Sequence, residues 1–282
     1  MIKLRDDVIP PSEILDELKT FQDEIDALEP FEERSKKAKD MFPQKNTKTN
    51  RVFKEIKKSI TEMCNSTRRC VYCEDSLADE VEHIYPKDLF PGKCFVWENY
   101  VYACGPCNGP KNNKFAVFND DEDGQFVEVN PPKGTPAAEP PAGNSAFINP
   151  REEDPLDYCI LDLAGSFQFV VLDELDDDKK LKAEYTYNTV LRFNHRDREP
   201  IRQARENAFG MYKARLYLYV KSKLEGANEA ALQKIIKQIK GECHSTVWKE
   251  MQRYRRNGIL REVDEDLDDL FVAAEEDGVM DW

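Results

Sequence analysis

The sequence predicts an α+β chain: mainly helical, interrupted by a small cysteine-stapled module, and closed by a helical region that a β-hairpin precedes. Three observations carry that expectation. Apolar residues recur every three or four positions through residues 12–63. Between Cys70 and Phe118 this period gives way to short β-like pieces punctuated by Pro and Gly. Helical spacing then returns from about residue 199, behind two short β-like runs. The 282 residues, 40 % of them hydrophobic, suffice for one or two ordinary domains with buried cores.

Taken in order, Pro10 and Pro11 lead to Ser12, a candidate cap for a helix whose stripe is Ile14, Leu18, Phe21, Ile25 and Leu28. A core-facing helix and a short coiled-coil seam both predict such a stripe. A basic segment follows from Phe31 to Met41, and a third helix carries Phe53, Ile56, Ile60 and Met63. The β-like pieces of the module are Arg69 to Tyr72, Val81 to Tyr85 and Tyr100 to Ala103, ending in a short helix after Gly105. Residues 119–150 combine the acidic run Asp120 to Asp123 with PPKGTPAAEPPAGN and read as an exposed linker. Beyond it, Tyr158 to Leu163 and Phe167 to Leu172 form a hairpin around Ala164-Gly165-Ser166. Helices then start near Thr186, run from Glu199 to Leu224, and run from Asn228 to Arg256. The expected organisation is therefore 1–64 helical, 65–118 the module, 119–150 linker, 151–261 hairpin plus helical domain, and 262–282 an acidic tail.

No run of about 18 apolar residues suggests a membrane span, and the start MIKLRDDVIPPSEI has no signal core, so a cytoplasmic, non-membrane protein is expected. The net charge of −14 argues against a polyanion partner until its distribution is considered. Bases outnumber acids from Arg34 to Arg69, Arg192 to Lys223 and Lys234 to Arg261, whereas only acids follow Arg261. That tail, with Leu267, Leu270, Phe271, Val272, Val279, Met280 and Trp282 among its acids, suits a basic partner groove or a mask over a basic face; a solvated disordered tail is the alternative.

Eight cysteines in a reducing compartment point to metal before disulfides. Cys70 with Cys73, and Cys104 with Cys107, make two C-x₂-C pairs thirty residues apart, a four-thiolate set suited to a structural tetrahedral Zn²⁺. Four thiolates leave the metal no open position, so any chemistry belongs to the segment they clamp. Cys64, Cys94, Cys159 and Cys243 stand alone and read as small buried hydrophobes.

Inside the clamp lie Val81-Glu82-His83-Ile84-Tyr85-Pro86-Lys87, Trp97-Glu98-Asn99-Tyr100-Val101 and Cys104-Gly105-Pro106-Cys107-Asn108-Gly109-Pro110-Lys111. Over residues 70 to 118 this resembles HNH (ββα-metal) endonucleases of the four-cysteine type. The resemblance implies phosphodiester hydrolysis leaving a 5′ phosphate and a 3′ hydroxyl. It makes His83 the general base with its ring oriented by Asn99, and Glu82 and Asn108 the ligands of a catalytic Mg²⁺ or Mn²⁺. The sequence departs from the family's usual pattern with Glu82 in place of Asp, one methylene longer, and with Asn108 in place of His. Lys111 and Lys114, on the short helix, read equally as phosphate contacts or as exposed solubilising lysines. Trp97 reads as a packing residue, and His195 and His244 as structural.

The run VEHIYPK with WENYVYAC, and further on Asn149-Pro150, Asp154-Pro155 and Lys182-Ala183-Glu184-Tyr185-Thr186, is similar to the HNH subunits of Septu-type and retron-linked anti-phage systems. That similarity implies an ATPase partner and a nucleic-acid substrate, DNA favoured, with RNA or tRNA as the alternative. The rival function is a non-catalytic zinc-knuckle module that binds nucleic acid or a protein. The pairing of Glu82 with His83 separates the two, because a binding module has no use for a metal site built from a carboxylate, a His and two Asn.

Overall fold

The three leading helices form as their periodicity dictates. In this computed structural model, which describes residues 1–64, 68–129, 135 and 138–274, they are α1 (Ser12–Asp26), α2 (Phe31–Lys45) and α3 (Arg51–Met63). Ser12 is the first residue of α1 rather than its cap, a position taken by Pro11 without a side-chain bond. α3 has the stronger start: the Asn50 side chain accepts from Val52 N at 2.9 Å. Its apolar face, Val52, Phe53, Ile56, Ile60 and Met63, is wholly buried. Ile14, Leu18 and Ile25 of α1 are buried as well, so the stripe is a core face.

The residues divide into two compact units. The first comprises Met1–Tyr72, Ser76–Tyr158 and Asp173–Arg192, and the second Cys73–Asp75, Cys159–Leu172 and Phe193–Trp282. The architecture is α+β and mainly helical, with small antiparallel sheets. Among the described residues no helix is long and apolar enough to cross a membrane.

In the first unit, β1 (Glu80–His83) pairs antiparallel with β2 (Tyr100–Ala103), and α4 (Gly105–Lys111) packs on β1. The register places His83 opposite Tyr100 and Glu82 opposite Val101. Side chains alternate across a strand, so Glu80 and Glu82 share the face toward α4 while Val81 and His83 share the other. Arg69 makes only an isolated bridge to Leu77, so the piece expected at Arg69 to Tyr72 is not a strand.

The segment expected to be a linker contributes two strands. β3 (Ala116–Asn119) lies between β4 (Gln125–Glu128) and β5 (Gly143–Ser145). Asp123 and Gly124 both have positive φ, 50° and 80°, which Asp-Gly adopts readily in a hairpin turn; the acidic run disguised that signal. Gly143 is fixed by close approach, since a Cβ there would stand 2.0 Å from the Phe118 carbonyl oxygen. The helix expected near Thr186 begins earlier, as α5 (Asp177–Glu184), capped by Asp176, and continues as a π-turn over Tyr185–Val190.

The second unit holds the hairpin β6 (Cys159–Leu161) and β7 (Phe169–Val171), then α6 (Glu199–Leu224), α7 (Glu229–Lys240), α8 (Ser245–Arg256), α9 (Leu260–Val263) and α10 (Glu265–Ala274). The helix expected from Asn228 to Arg256 is broken between Lys240 and Ser245, where His244 has φ 55°. The carboxylate of Glu74 accepts from Thr246 N at 2.9 Å and Ser245 Oγ at 3.1 Å, which satisfies the start of α8. α10 occupies part of the expected acidic tail. Leu267 and Phe271 are buried, with Phe271 against Trp248 (5.4 Å between centroids), so these two are core residues and not exposed docking groups. The tail's Val279, Met280 and Trp282 lie outside the described residues.

Candidate active site

Two cysteine knuckles frame the site. The sulfurs of Cys70, Cys73, Cys104 and Cys107 are buried and lie within 4.8 Å of one another. A tetrahedral ion with bonds of about 2.3 Å holds its sulfurs about 3.8 Å apart, so the set fits structural zinc. The second knuckle turns through Cys107 N to Cys104 O (3.0 Å) and Asn108 N to Cys104 O (2.9 Å), and runs on as α4. The lone cysteines Cys64, Cys94 and Cys159 are buried, and burial pushes the Cys94 thiol up to about 12.

His83 ends β1 with 4 % of its surface exposed. Its ring sits edge-on to Phe42 (4.4 Å) and Tyr100 (5.2 Å). Nε2 lies 2.9 Å from the Cys94 carbonyl oxygen, which also accepts from Tyr100 OH at 2.7 Å. A carbonyl can only accept, so Nε2 carries the proton and the neutral ring keeps its lone pair on Nδ1. Burial, and after it the charge of Lys87, pushes the His83 pKa down to about 3.

The orienting group is therefore the Cys94 carbonyl and not the Asn99 side chain. Asn99 Oδ1 accepts from Tyr85 N (2.7 Å), and Nδ2 donates to Tyr85 O (3.0 Å) and Lys93 O (2.8 Å). These bonds clamp the loop between the strands and fix Lys93, whose neighbour Cys94 holds the imidazole. Asn99 acts on His83 at one remove.

The other face of β1 makes two polar rungs to α4. Asn108 Nδ2 donates to Glu80, and Lys111 Nζ donates to Glu82 Oε1 at 2.6 Å and to the His83 carbonyl at 2.7 Å. Lys111 has no exposed surface, so it is neither of the two things expected of it, a phosphate contact or a solubilising lysine. Burial raises the Glu82 pKa against the opposing pull of Lys111. The structure thus brings Glu82 and Lys111 together, with the His83 ring on the opposite strand face, and adds Glu80, two residues before Glu82 on the same face, a spacing that could have revealed it. Lys114 is partly exposed near Thr189 O (3.3 Å), and Trp97 is buried beneath the Arg151 guanidinium (4.5 Å). The later motifs also meet: Ile148 N donates to Thr186 Oγ1 (3.0 Å) and Lys182 Nζ to Glu153 (2.7 Å).

Two expected outcomes follow from this geometry. Replacing Lys111 with Met leaves a carboxylate buried without its partner, a change that costs about 3–5 kcal/mol. Adding Glu82→Leu should recover most of the loss, as read from urea midpoints; an unaltered midpoint in Lys111→Met would rule out the buried pair. The second concerns pH. The unfolded His83 takes a proton below its ordinary value near 6.5, and the folded ring does so only near 3, so its contribution to stability is full above about 6.5 and fades as pH falls toward 3. The whole contribution is about 5 kcal/mol. Denaturation at pH 7, 5.5 and 4.5 should show a shallower acid loss in His83→Asn than in wild type, and parallel losses would contradict it.

A β-hairpin crossed by a short helix and stapled by four cysteines, with a buried imidazole on one face of its first strand and two carboxylates on the other, defines the class of site. Among curated proteins, the chain is 43 % identical over 61 residues to the Septu protein PtuB of Bacillus thuringiensis. That match covers 20 % of this chain and 23 % of the relative, so the chain spans less than a quarter of the length of the curated relative it matches. No family model matches the chain, and no solved structure does.

Proposed function

We propose that the chain is a metal-dependent endonuclease of the HNH type, hydrolysing phosphodiester bonds of nucleic acid, DNA in preference to RNA, as the effector of an anti-phage complex with a partner ATPase. The observation that carries this reading is the fixed tautomer of His83: with Nε2–H committed to the Cys94 carbonyl, Nδ1 is the atom that takes a proton from water. The partial match to a Septu protein supports the defence setting.

A ring held near 3 is unprotonated at neutral pH but weakly basic. An entering phosphate anion raises its proton affinity and so belongs to the device. Glu82 and Asn108 would hold Mg²⁺ or Mn²⁺ through oxygen, and that cation would stabilise charge on the phosphate as a Lewis acid. Asn108 spends its amide hydrogen on Glu80, which keeps Oδ1 as its donor atom, and Glu80 adds a second carboxylate to the same face. The Lys111 ammonium already neutralises one oxygen of Glu82. That pair favours the second reading, a non-catalytic zinc-knuckle binding module in which the same residues serve only to dock α4.

The test is incubation of purified protein, alone and with candidate ATPases, on plasmid and total RNA with Mg²⁺ or Mn²⁺, beside His83→Ala. Fragments from wild type alone, ending in 5′ phosphate, are the expected result. Identical products from both proteins under every condition would leave the binding module as the reading.

A further inference from the structure

Beside the sheet, on the side of α3 turned away from the core, lies a cleft of about 550 Å³ whose walls carry five cations: Lys48, Lys54, Lys57, Lys58 and Arg68. Glu62 is the one acid among the residues lining it. Lys54, Lys57, Lys58 and Thr61 fall on one helical face at spacings of three and four, opposite the buried apolar stripe, and Lys48 comes from the connection before α3. Like charges at this spacing destabilise a helix, and in a chain of net charge −14 their concentration here is not a matter of composition. Lys58 pairs with Glu55 at 3.6 Å, while burial, and then the charges of Lys48 and Arg68, lower the Lys57 pKa.

The floor of the cleft includes Tyr102 of β2. Tyr102 lies two residues beyond Tyr100, the cross-strand partner of His83, so both tyrosines and the imidazole share one face of the sheet. One such step along a strand is about 7 Å. The cleft thus reaches to within one such step, along β2, of the residue paired with His83.

Resting on the nuclease reading above, we propose that this cleft is the track for the sugar-phosphate backbone of the strand to be cut, with the lysines of α3 gripping phosphates on one side of the scissile bond. These contacts carry no base information, so they set register and affinity for any sequence.

The test is fluorescence anisotropy of labelled single-stranded and duplex oligonucleotides with no added divalent cation, across a range of NaCl, so that binding is read apart from cutting. Lys54→Ala/Lys57→Ala/Lys58→Ala should bind about tenfold or more weakly and flatten the slope of log K against log[salt] by about two. Arg68→Ala alone should flatten it by about 0.7–0.9. Lys234→Ala/Lys237→Ala, on exposed positions of α7, should match wild type, and thermal melts confirm that each variant is folded. Wild-type affinity and slope in both cleft variants would overturn the proposal, as would failure of the wild type to bind either polymer. Should wild type bind through these lysines and yet cut nothing, the cleft stands as a nucleic-acid track and the nuclease reading falls.

Discussion

Withdrawing zinc from the four-cysteine cluster, or replacing Cys104 with Ser, is expected to unfold the segment between the cysteine pairs. A structural zinc contributes apparent binding energy on the order of 10–16 kcal/mol, as much as or more than the roughly 5–15 kcal/mol net stability of an ordinary domain. Between the pairs stand two four-residue strands, two single 3-10 turns and their connections. Four buried thiols without a metal offer each other little, whereas thiolates around Zn²⁺ bind strongly. Metal analysis should return one zinc per chain. A strong chelator should abolish the cooperative melt and shift the emission of Trp97, which is buried between the two knuckles in sequence. A metal-free protein whose melting curve ignores the chelator would show that the cluster is four packed thiols.

His83→Ala is expected to lower cleavage by about 10²–10⁴-fold, the usual contribution of one positioned general base. The substitution also empties a space beside Phe42 and Tyr100, so rates must be compared at a temperature where both proteins are folded. His83→Asn, which is polar but no base at this pH, separates lost packing from lost chemistry. In wild type, kcat/KM should stay level from pH 8 to pH 6, because the free protein's ring is already unprotonated throughout that range. An acid limb centred near 6.5 would mean that the imidazole is solvated as an ordinary surface histidine, contrary to its packing.

What could be read from the sequence was what is local. Spacings of three and four gave α1 and α3, the two C-x₂-C pairs gave the cluster, and α6 runs over Glu199–Leu224 as its pattern implied. The misreadings have one cause: a partner distant in the chain decided the outcome. Lys111 looks like a surface lysine until β1 brings Glu82 to it, 29 residues away in sequence. The break before α8 depends on Glu74, more than 170 residues upstream. Asn99 was expected to touch the imidazole, yet its amide is exhausted by a loop whose path no spacing encodes. The Asp123-Gly124 turn was the exception, a local signal passed over because its acidic neighbours suggested a linker.

The strict alternation along β1 makes this strand sensitive to a kind of change other than substitution. Deleting or inserting a single residue between Glu80 and His83 would throw the residues on one side of the change onto the wrong face, turning either a carboxylate into the aromatic cluster or the imidazole toward α4. Glu82→Gln or Val81→Ile keeps every neighbour in place, whereas a frame-preserving loss of one codon dismantles both sides of the sheet together. Natural length variation in this module is therefore expected in the loop between Lys87 and Val96 and beyond Lys111, and not within these four residues.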